Sequence, residues 1–347
     1  MWDVAIVGSG PAGASCASFC ALAGLRTVVL ERAIFPREKV CGDCLNPKCW
    51  PILERLGIAD RMRAAPHGKL SSVTFIDTHG RTTSVALPTG ATAEIAISRR
   101  IFDHILSERA RSLGAEILEG ETVLAIERND HWKIQSTNHR VEARVLVAAD
   151  GRNSTVARLC NLMPRSAPDR VALQSHVTLP EGFGDRIVLQ LLREGYCGQA
   201  PVGDGLLNLC LVGHPNDLPA IRAWAEKEFA IPTGHAWRTI TPLARSALPS
   251  VRPDFFLLGD AARVVEPFTG EGIYYALRSG ELAANAIRSS DPARYARAHR
   301  QLYAGRIWIN SLARYAVRHP RIATALLRIM PKEKQVLRLL TSKVVRA

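Results

Sequence analysis

The 347-residue sequence predicts an α/β chain. The expected parts are a Rossmann-like, mostly parallel sheet for a dinucleotide, an inserted antiparallel β-sheet domain and a helical C-terminal tail. Three observations carry this. Gly8-Ser9-Gly10-Pro11-Ala12-Gly13 follows an apolar run at 3–7 and precedes a small-residue, helix-compatible stretch. Two more apolar runs, 144–149 and 255–258, also end on glycine turns, at Asp150-Gly151 and Gly259-Asp260. Residues 165–250 instead show short alternating strands, which read as a separate antiparallel sheet.

The first 31 residues read strand, G-x-G-x-x-G, helix, strand, acid. Gly8 suits the tight turn, Gly10 lets a pyrophosphate approach the backbone, and Gly13 lets helix and strand pack closely. The free N–H groups at the helix start attract phosphate, and Glu31 can accept hydrogen bonds from a ribose diol. Ligands of open α/β sheets sit at the carboxyl ends of the strands, so one extended ligand could touch all three glycine turns.

Composition bounds the rest. A hydrophobic fraction of 47% supports a sizeable core. The net charge of +13 is concentrated: residues 291–347 hold 13 Lys and Arg against Asp291 and Glu333. The body is close to neutral, which argues against a nucleic-acid partner. No long apolar run suggests a membrane span, and the first strand starts within three residues of Met1. The expectation is a cytoplasmic protein whose eight cysteines are mostly reduced thiols.

Residues 32–47 hold two prolines, a glycine and five charges, the composition of a long loop. Cys41 and Cys44 there form C-x-x-C, open to a dithiol shuttle or to simple packing. No second pair at zinc spacing follows. Residues 52–62 read as one short helix, 70–87 as a hairpin turning at His79-Gly80, and 101–113 as an amphipathic helix stopped by Gly114. Strands are expected at 115–119, 122–128 and 132–137, and a long helix runs from 273 to about 287.

Taken together, the three glycine turns resemble the FAD-dependent oxidoreductases of the p-hydroxybenzoate hydroxylase fold. That group includes aromatic hydroxylases, flavin halogenases and geranylgeranyl reductases. The resemblance spans residues 1 to about 290. It implies FAD held by Gly8, Gly10, Pro11, Ala12, Gly13, Glu31, Arg32, Arg99, Val123, Asp150, Gly151, Gly259, Asp260, Pro267, Gly270, Gly272 and Ile273. Residues 1–70, 97–164 and 251–290 would form the FAD-binding domain, 71–96 and 165–250 the substrate domain, and 291–347 a basic helical region. The loop Phe35-Pro36-Arg37-Glu38-Lys39-Val40-Cys41-Gly42 looks like the geranylgeranyl reductase branch, which places Cys41 and Gly42 at the reacting end.

The stretch over the substrate is Gly195-Tyr196-Cys197-Gly198-Gln199-Ala200-Pro201. Reductases of the branch carry Y-x-W-x-F-P there, so Gly198 and Ala200 replace two aromatic rings. Tyr196, Gly198, Ala200 and Pro201 are expected to line a widened cavity for a small hydrophobic substrate. The resemblance implies reduction of a C=C bond in an isoprenoid-like or polyketide-like molecule by hydride from flavin N5. The alternative is hydroxylation of an aromatic or polycyclic substrate through a C4a-hydroperoxide, and a second alternative is a membrane-surface flavoprotein acting on a lipid-like quinone.

No second G-x-G-x-x-G appears, so NADPH or NADH would bind transiently, or another donor such as a ferredoxin or quinol would reduce the flavin. His67, His79, His176, His214 and His235 are scattered and read as surface or structural groups. In the tail, Arg314, Arg318, Arg321 and Arg328 interleave with apolar residues. A basic amphipathic helix of that kind suits either peripheral contact with anionic lipid or packing on the body.

Overall fold

The computed structural model describes residues 1–164, 170–249 and 251–305, together with Trp308, Ser311, Leu312, Arg314, Tyr315 and Thr324. The first sheet runs in the order Val251–Arg252, Phe255–Leu257, Arg140–Ala148, Trp2–Val7, Thr27–Glu31, Glu116–Glu119. From Phe255–Leu257 to Glu116–Glu119 every neighbouring pair is parallel. Val123–Arg128 and Trp132–Ser136 extend it as an antiparallel flap on Arg140–Ala148.

These strands are apolar on both faces because both faces are covered. Val4, Ile6, Val29, Val147 and Phe256 pack with Ala12, Cys16 and Ala17 of the Pro11–Leu22 helix and with Ala283 and Ala284 of the Gly272–Arg288 helix. Ala5, Val7, Leu30, Leu146 and Phe255 face Trp132, Ile134 and Val156 on the other side. The two helices touch closely at Gly280, where a Cβ would stand 2.5 Å from the Ala12 carbonyl oxygen.

The second sheet runs Arg238–Ile240, Val171–Thr178, Leu206–Gly213, Gly195–Gly203, Arg186–Leu191, Ser72–Ile76, Thr82–Ala86. Its pairs are antiparallel except one: Arg186–Leu191 runs parallel to Ser72–Ile76. That join occurs because the hairpin 72–86 comes from an earlier part of the chain and adds its first strand to the edge of the later meander. The hairpin turns at Gly80 (φ +81°), as its sequence predicts.

Two local expectations change. The helix expected over 52–62 is two, Trp50–Arg55 and Ala59–Ala64, broken at Gly57 (φ +70°), a conformation a continuing helix does not accommodate. A helix not anticipated, Leu218–Glu228, covers the far face of the second sheet through Ile221 and Ala225. A third, small sheet joins Cys44–Leu45, Ile95–Ala96 and Gly68–Lys69. In the tail, Pro292–Tyr303 is helical; the basic stripe at Arg318, Arg321 and Arg328 lies outside the described residues.

Candidate active site

Three strand ends meet at one edge of the first sheet. Val7 stands beside Ala148, and Ala148 beside Leu257, so the turns at Gly8, Asp150-Gly151 and Gly259-Asp260 open into the same space. Gly8 has φ +98°, and a Cβ there would lie 2.6 Å from the Ala149 carbonyl oxygen. At Gly13 a Cβ would meet the Gly8 carbonyl oxygen at 1.8 Å. At Gly10 it would meet only the Arg37 guanidinium, at 3.7 Å. The turn is therefore packed solid behind Gly8 and Gly13 and left open in front of Gly10. The Pro11–Leu22 helix starts there with no side-chain cap, which leaves its first N–H groups for a ligand. Glu31 accepts from the Ser9 N–H at 2.7 Å and the Ala33 N–H at 3.0 Å, so it pins the turn as well as facing the groove.

The space is one cavity of about 1050 Å³. One end is lined by Glu31, Arg32 and Val123. The middle is lined by Gly8, Gly10, Pro11, Ala12, Arg99, Asp150, Gly151 and Asp260, and the far end by Pro267, Gly270, Gly272, Ile273, Cys41 and Gly42. From there it continues under the second sheet along Tyr196, Gly198 and Ala200.

Three of the residues singled out in the sequence lie outside the lining. Gly13 is beneath the turn. Gly259 is buried against Ala12 and donates its N–H to Ser279 Oγ at 3.0 Å. Pro201 is pressed against the small sheet, where a Cβ on Gly68 would stand 1.8 Å from the Pro201 carbonyl oxygen. Gly13 and Gly259 shape the site by close packing, and Pro201 is a contact between sheets.

The middle of the cavity is cationic. Arg99 heads the Arg99–Ser112 helix and is bidentate to buried Asp103, with both bonds at 2.7 Å. Arg37 reaches the same carboxylate at 2.8 Å, and Arg152 reaches Asp260 at 3.0 Å. Lys39 joins them, and burial together with the charges of Arg99, Arg37 and Arg152 pushes its ammonium down to about 8. Arg37, Lys39 and Arg152 were missed as site residues. For the first two the signal was present, as the arginine and lysine of the reductase-like loop 35–42 and the density of charge around them. Asp150 uses one oxygen to accept from the Val156 N–H at 3.1 Å, while its other oxygen, Oδ1, is buried without a partner among the described residues.

At the far end the Cys41 loop is tied to the second sheet. Asn208 donates to the Cys41 carbonyl at 3.0 Å, and Gln174 donates to Asn208 at 2.9 Å. Asp43, in the left-handed region (φ +59°) and fully buried, pairs with His176 at 2.7 Å. His176, expected among the scattered histidines, thus anchors the loop that carries Cys41. Burial pushes the Cys41 thiol up, and that of Cys44 further. Both stay protonated near neutral pH, which disfavours a reactive dithiolate. Tyr196 stands edge-on to Phe268, with ring centroids 5.3 Å apart.

Comparison with known proteins bears on what this groove holds. A family described as "FAD binding domain" matches residues 1–179. The chain belongs to this family. FAD fits the residues present. Its diphosphate would lie among Arg37, Lys39, Arg99 and Arg152 in front of Gly10, with the Asp150 oxygen and Glu31 left to accept from hydroxyls. Relatives include a menaquinone reductase of Mycolicibacterium smegmatis, 30% identical over 85% of this chain and 78% of that one. A geranylgeranyl diphosphate reductase of Rhodobacter capsulatus is also 30% identical, over 84% and 77%. A flavoprotein/dehydrogenase structure from Cytophaga hutchinsonii superimposes with a TM-score of 0.83 at 19% identity, covering 99% of this chain and 92% of that one, a likeness of fold. The protein is an FAD-dependent oxidoreductase of the p-hydroxybenzoate hydroxylase fold, similar to the geranylgeranyl reductases. No helix among the described residues is long and apolar enough to cross a membrane.

Proposed function

We propose that the enzyme reduces a C=C bond of an isoprenoid-like substrate. The observation that carries this reading is the continuity of the cavity: the cationic groove opens, at Cys41 and Gly42, directly into an apolar chamber floored by the second sheet. Val73, Phe75, Ile187, Leu189 and Ala200 line that chamber, which suits a long hydrocarbon and excludes water from the reacting carbon. The reductase relatives named above, acting on menaquinone and on geranylgeranyl diphosphate, support the same substrate class.

Bound FAD, once reduced, supplies a hydride. The chain supplies the rest. The Gly272–Arg288 helix directs its uncapped N-terminus at the 267–273 turn, where it favours negative charge. Cys41 holds a proton on Sγ beside Arg99 and in this reading gives it to the carbon next to the one that takes the hydride. Hydride and proton together add two hydrogens across the double bond. The Asn208 and His176 contacts hold the Cys41 loop over the chamber while this occurs. NADPH or NADH is the reductant in this reading, binding transiently.

The test is to reduce the FAD-loaded protein anaerobically and add menaquinone or geranylgeranyl diphosphate. The expected product is 2 Da heavier and, from menaquinone, keeps that added mass after the head group has been reoxidised to the quinone. A specific observation favours a second reading: Gly198 and Ala200 leave the chamber broad enough for an aromatic or polycyclic substrate. A product 16 Da heavier, formed only under air, would replace reduction with hydroxylation.

A further inference from the structure

Glu94 lies in the chamber wall just ahead of the Ile95–Ala96 strand. It is 5% exposed and lines the cavity, yet its carboxyl makes no hydrogen bond or ion pair among the described residues. With most of the residue buried and the carboxyl facing the cavity, the charged form is costly there and a hydrogen-bonding guest would offset that cost. Its position is fixed by its neighbours. Trp50 Nε1 donates to the carbonyl of Ala93 at 2.8 Å, and Ile95–Ala96 is paired on both sides, with Cys44–Leu45 and with Gly68–Lys69. The backbone on either side of Glu94 is thus fixed, in the wall of the cavity that Cys41 and Cys44 also line.

We propose that Glu94 donates a hydrogen bond to a carbonyl oxygen of the substrate, making the chamber selective for a quinone-type head group. The inference rests on the isoprenoid-reductase reading and deepens it. Burial alone pushes the Glu94 carboxyl up to about 8, so near neutral pH it carries the O–H that a carbonyl can accept. Cys44 and Cys49 beside it are thiols pushed well above their ordinary range, while Lys39, whose ammonium lies near 8, sits at the cationic groove, which FAD occupies in the loaded protein. Across the chamber, Asp77 turns back on its own hairpin, accepting from the N–H groups of His79 and Arg81. Arg81, Thr83 and Gln199 also line the cavity, so it is the pH step in the test below that separates a Glu94 hydrogen bond from theirs.

Two probes separate the effect from general apolar affinity. Duroquinone carries two carbonyls and no site for thiol addition, and durene has the same methylated ring without them. Binding of each to the FAD-loaded, oxidised full chain is measured between pH 6 and 9. Wild type should bind duroquinone roughly tenfold more tightly below pH 8 than above it, the equivalent of one hydrogen bond. Durene should show no step. Glu94→Gln keeps a donor, so it should bind duroquinone within a few-fold of wild type and lose the pH step. Glu94→Leu should lose about tenfold for duroquinone and nothing for durene. A wild-type pH profile without a step, or a step that survives in Glu94→Gln, overturns the assignment. The binding is measured without turnover, so failure of the reductase reading, seen as no 2 Da product from either isoprenoid, is recorded separately from failure of Glu94.

Discussion

Two glycines of one turn should fail in opposite ways. Gly13→Ala places a methyl 1.8 Å from the Gly8 carbonyl oxygen, well inside the 3.0 Å that real contacts respect. Helix and strand must separate by about 1 Å or more in a fully buried layer, and overpacking of this kind costs about 3 kcal/mol. Up to about 1 kcal/mol returns from the better helix propensity of alanine, leaving a net loss of about 2 kcal/mol. Gly10→Ala meets nothing nearer than the Arg37 guanidinium at 3.7 Å, a flexible group, and its φ of −71° suits any residue. Its folding stability should therefore change by less than about 0.5 kcal/mol. The new methyl instead stands where a diphosphate approaches the helix start, and FAD affinity should fall by tenfold or more, about 1.4 kcal/mol. Urea denaturation of the FAD-free variants followed by circular dichroism gives the first quantity, and fluorescence titration with FAD gives the second. Equal destabilisation of the two variants, or undiminished FAD affinity in Gly10→Ala, would refute the division of roles.

Further outcomes follow from the charges and the chamber. An anion among Arg37, Lys39 and Arg99 favours the Lys39 ammonium, whose free-protein value lies near 8. FAD affinity should accordingly be full below pH 8 and fall as pH rises above it, and Lys39→Gln should flatten that fall in the same titration. The Glu94 carboxyl is raised from 4.5 to about 8, so its neutral form favours folding. That contribution is complete below pH 4.5 and is lost as pH rises toward 8. Glu94→Gln should therefore gain stability relative to wild type by roughly 3 kcal/mol between pH 5 and 8, read by denaturation at each pH; parallel profiles would count against it. Gly198→Trp has room at its Cβ, with Leu189 at 3.8 Å and the Cys210 carbonyl at 3.9 Å, so the ring must enter the chamber. Some 200 Å² of ring surface added there should weaken polycyclic ligands far more than linear isoprenoids, measured as a ratio of dissociation constants.

The cofactor end of the site was legible in the sequence because its signals are local. A turn that needs φ +98° at Gly8, a helix start without a cap, and an acid at the end of the next strand are all set by neighbours a few residues apart. The apolar runs at 3–7, 144–149 and 255–258 could be read as buried strands because parallel strands covered on both faces lose their alternation. The same local logic did not show that Gly259 and Pro201 would fall outside the cavity lining. It could recognise a glycine-aspartate turn and a proline on a sheet, but not that Ala12 and the Gly68–Lys69 strand would be packed against them.

The chamber was not legible, because the contacts that make it join distant parts of the chain. His176 meets Asp43 across 133 positions, Asn208 meets Cys41 across 167, and Arg152 meets Asp260 across 108. Nothing in the residues around Glu94 distinguishes it from a surface glutamate. It is buried because the loop that carries it is held by Trp50 and roofed by a sheet drawn from two separate segments. The nucleotide-binding geometry of the first strand, turn and helix follows from backbone sterics and helix-end polarity, which act within a few residues and are therefore written in the local sequence. Which cations gather in front of Gly10 and which carboxyl lines the chamber depend on what packs alongside, because desolvation and charge are set by neighbours distant in the chain.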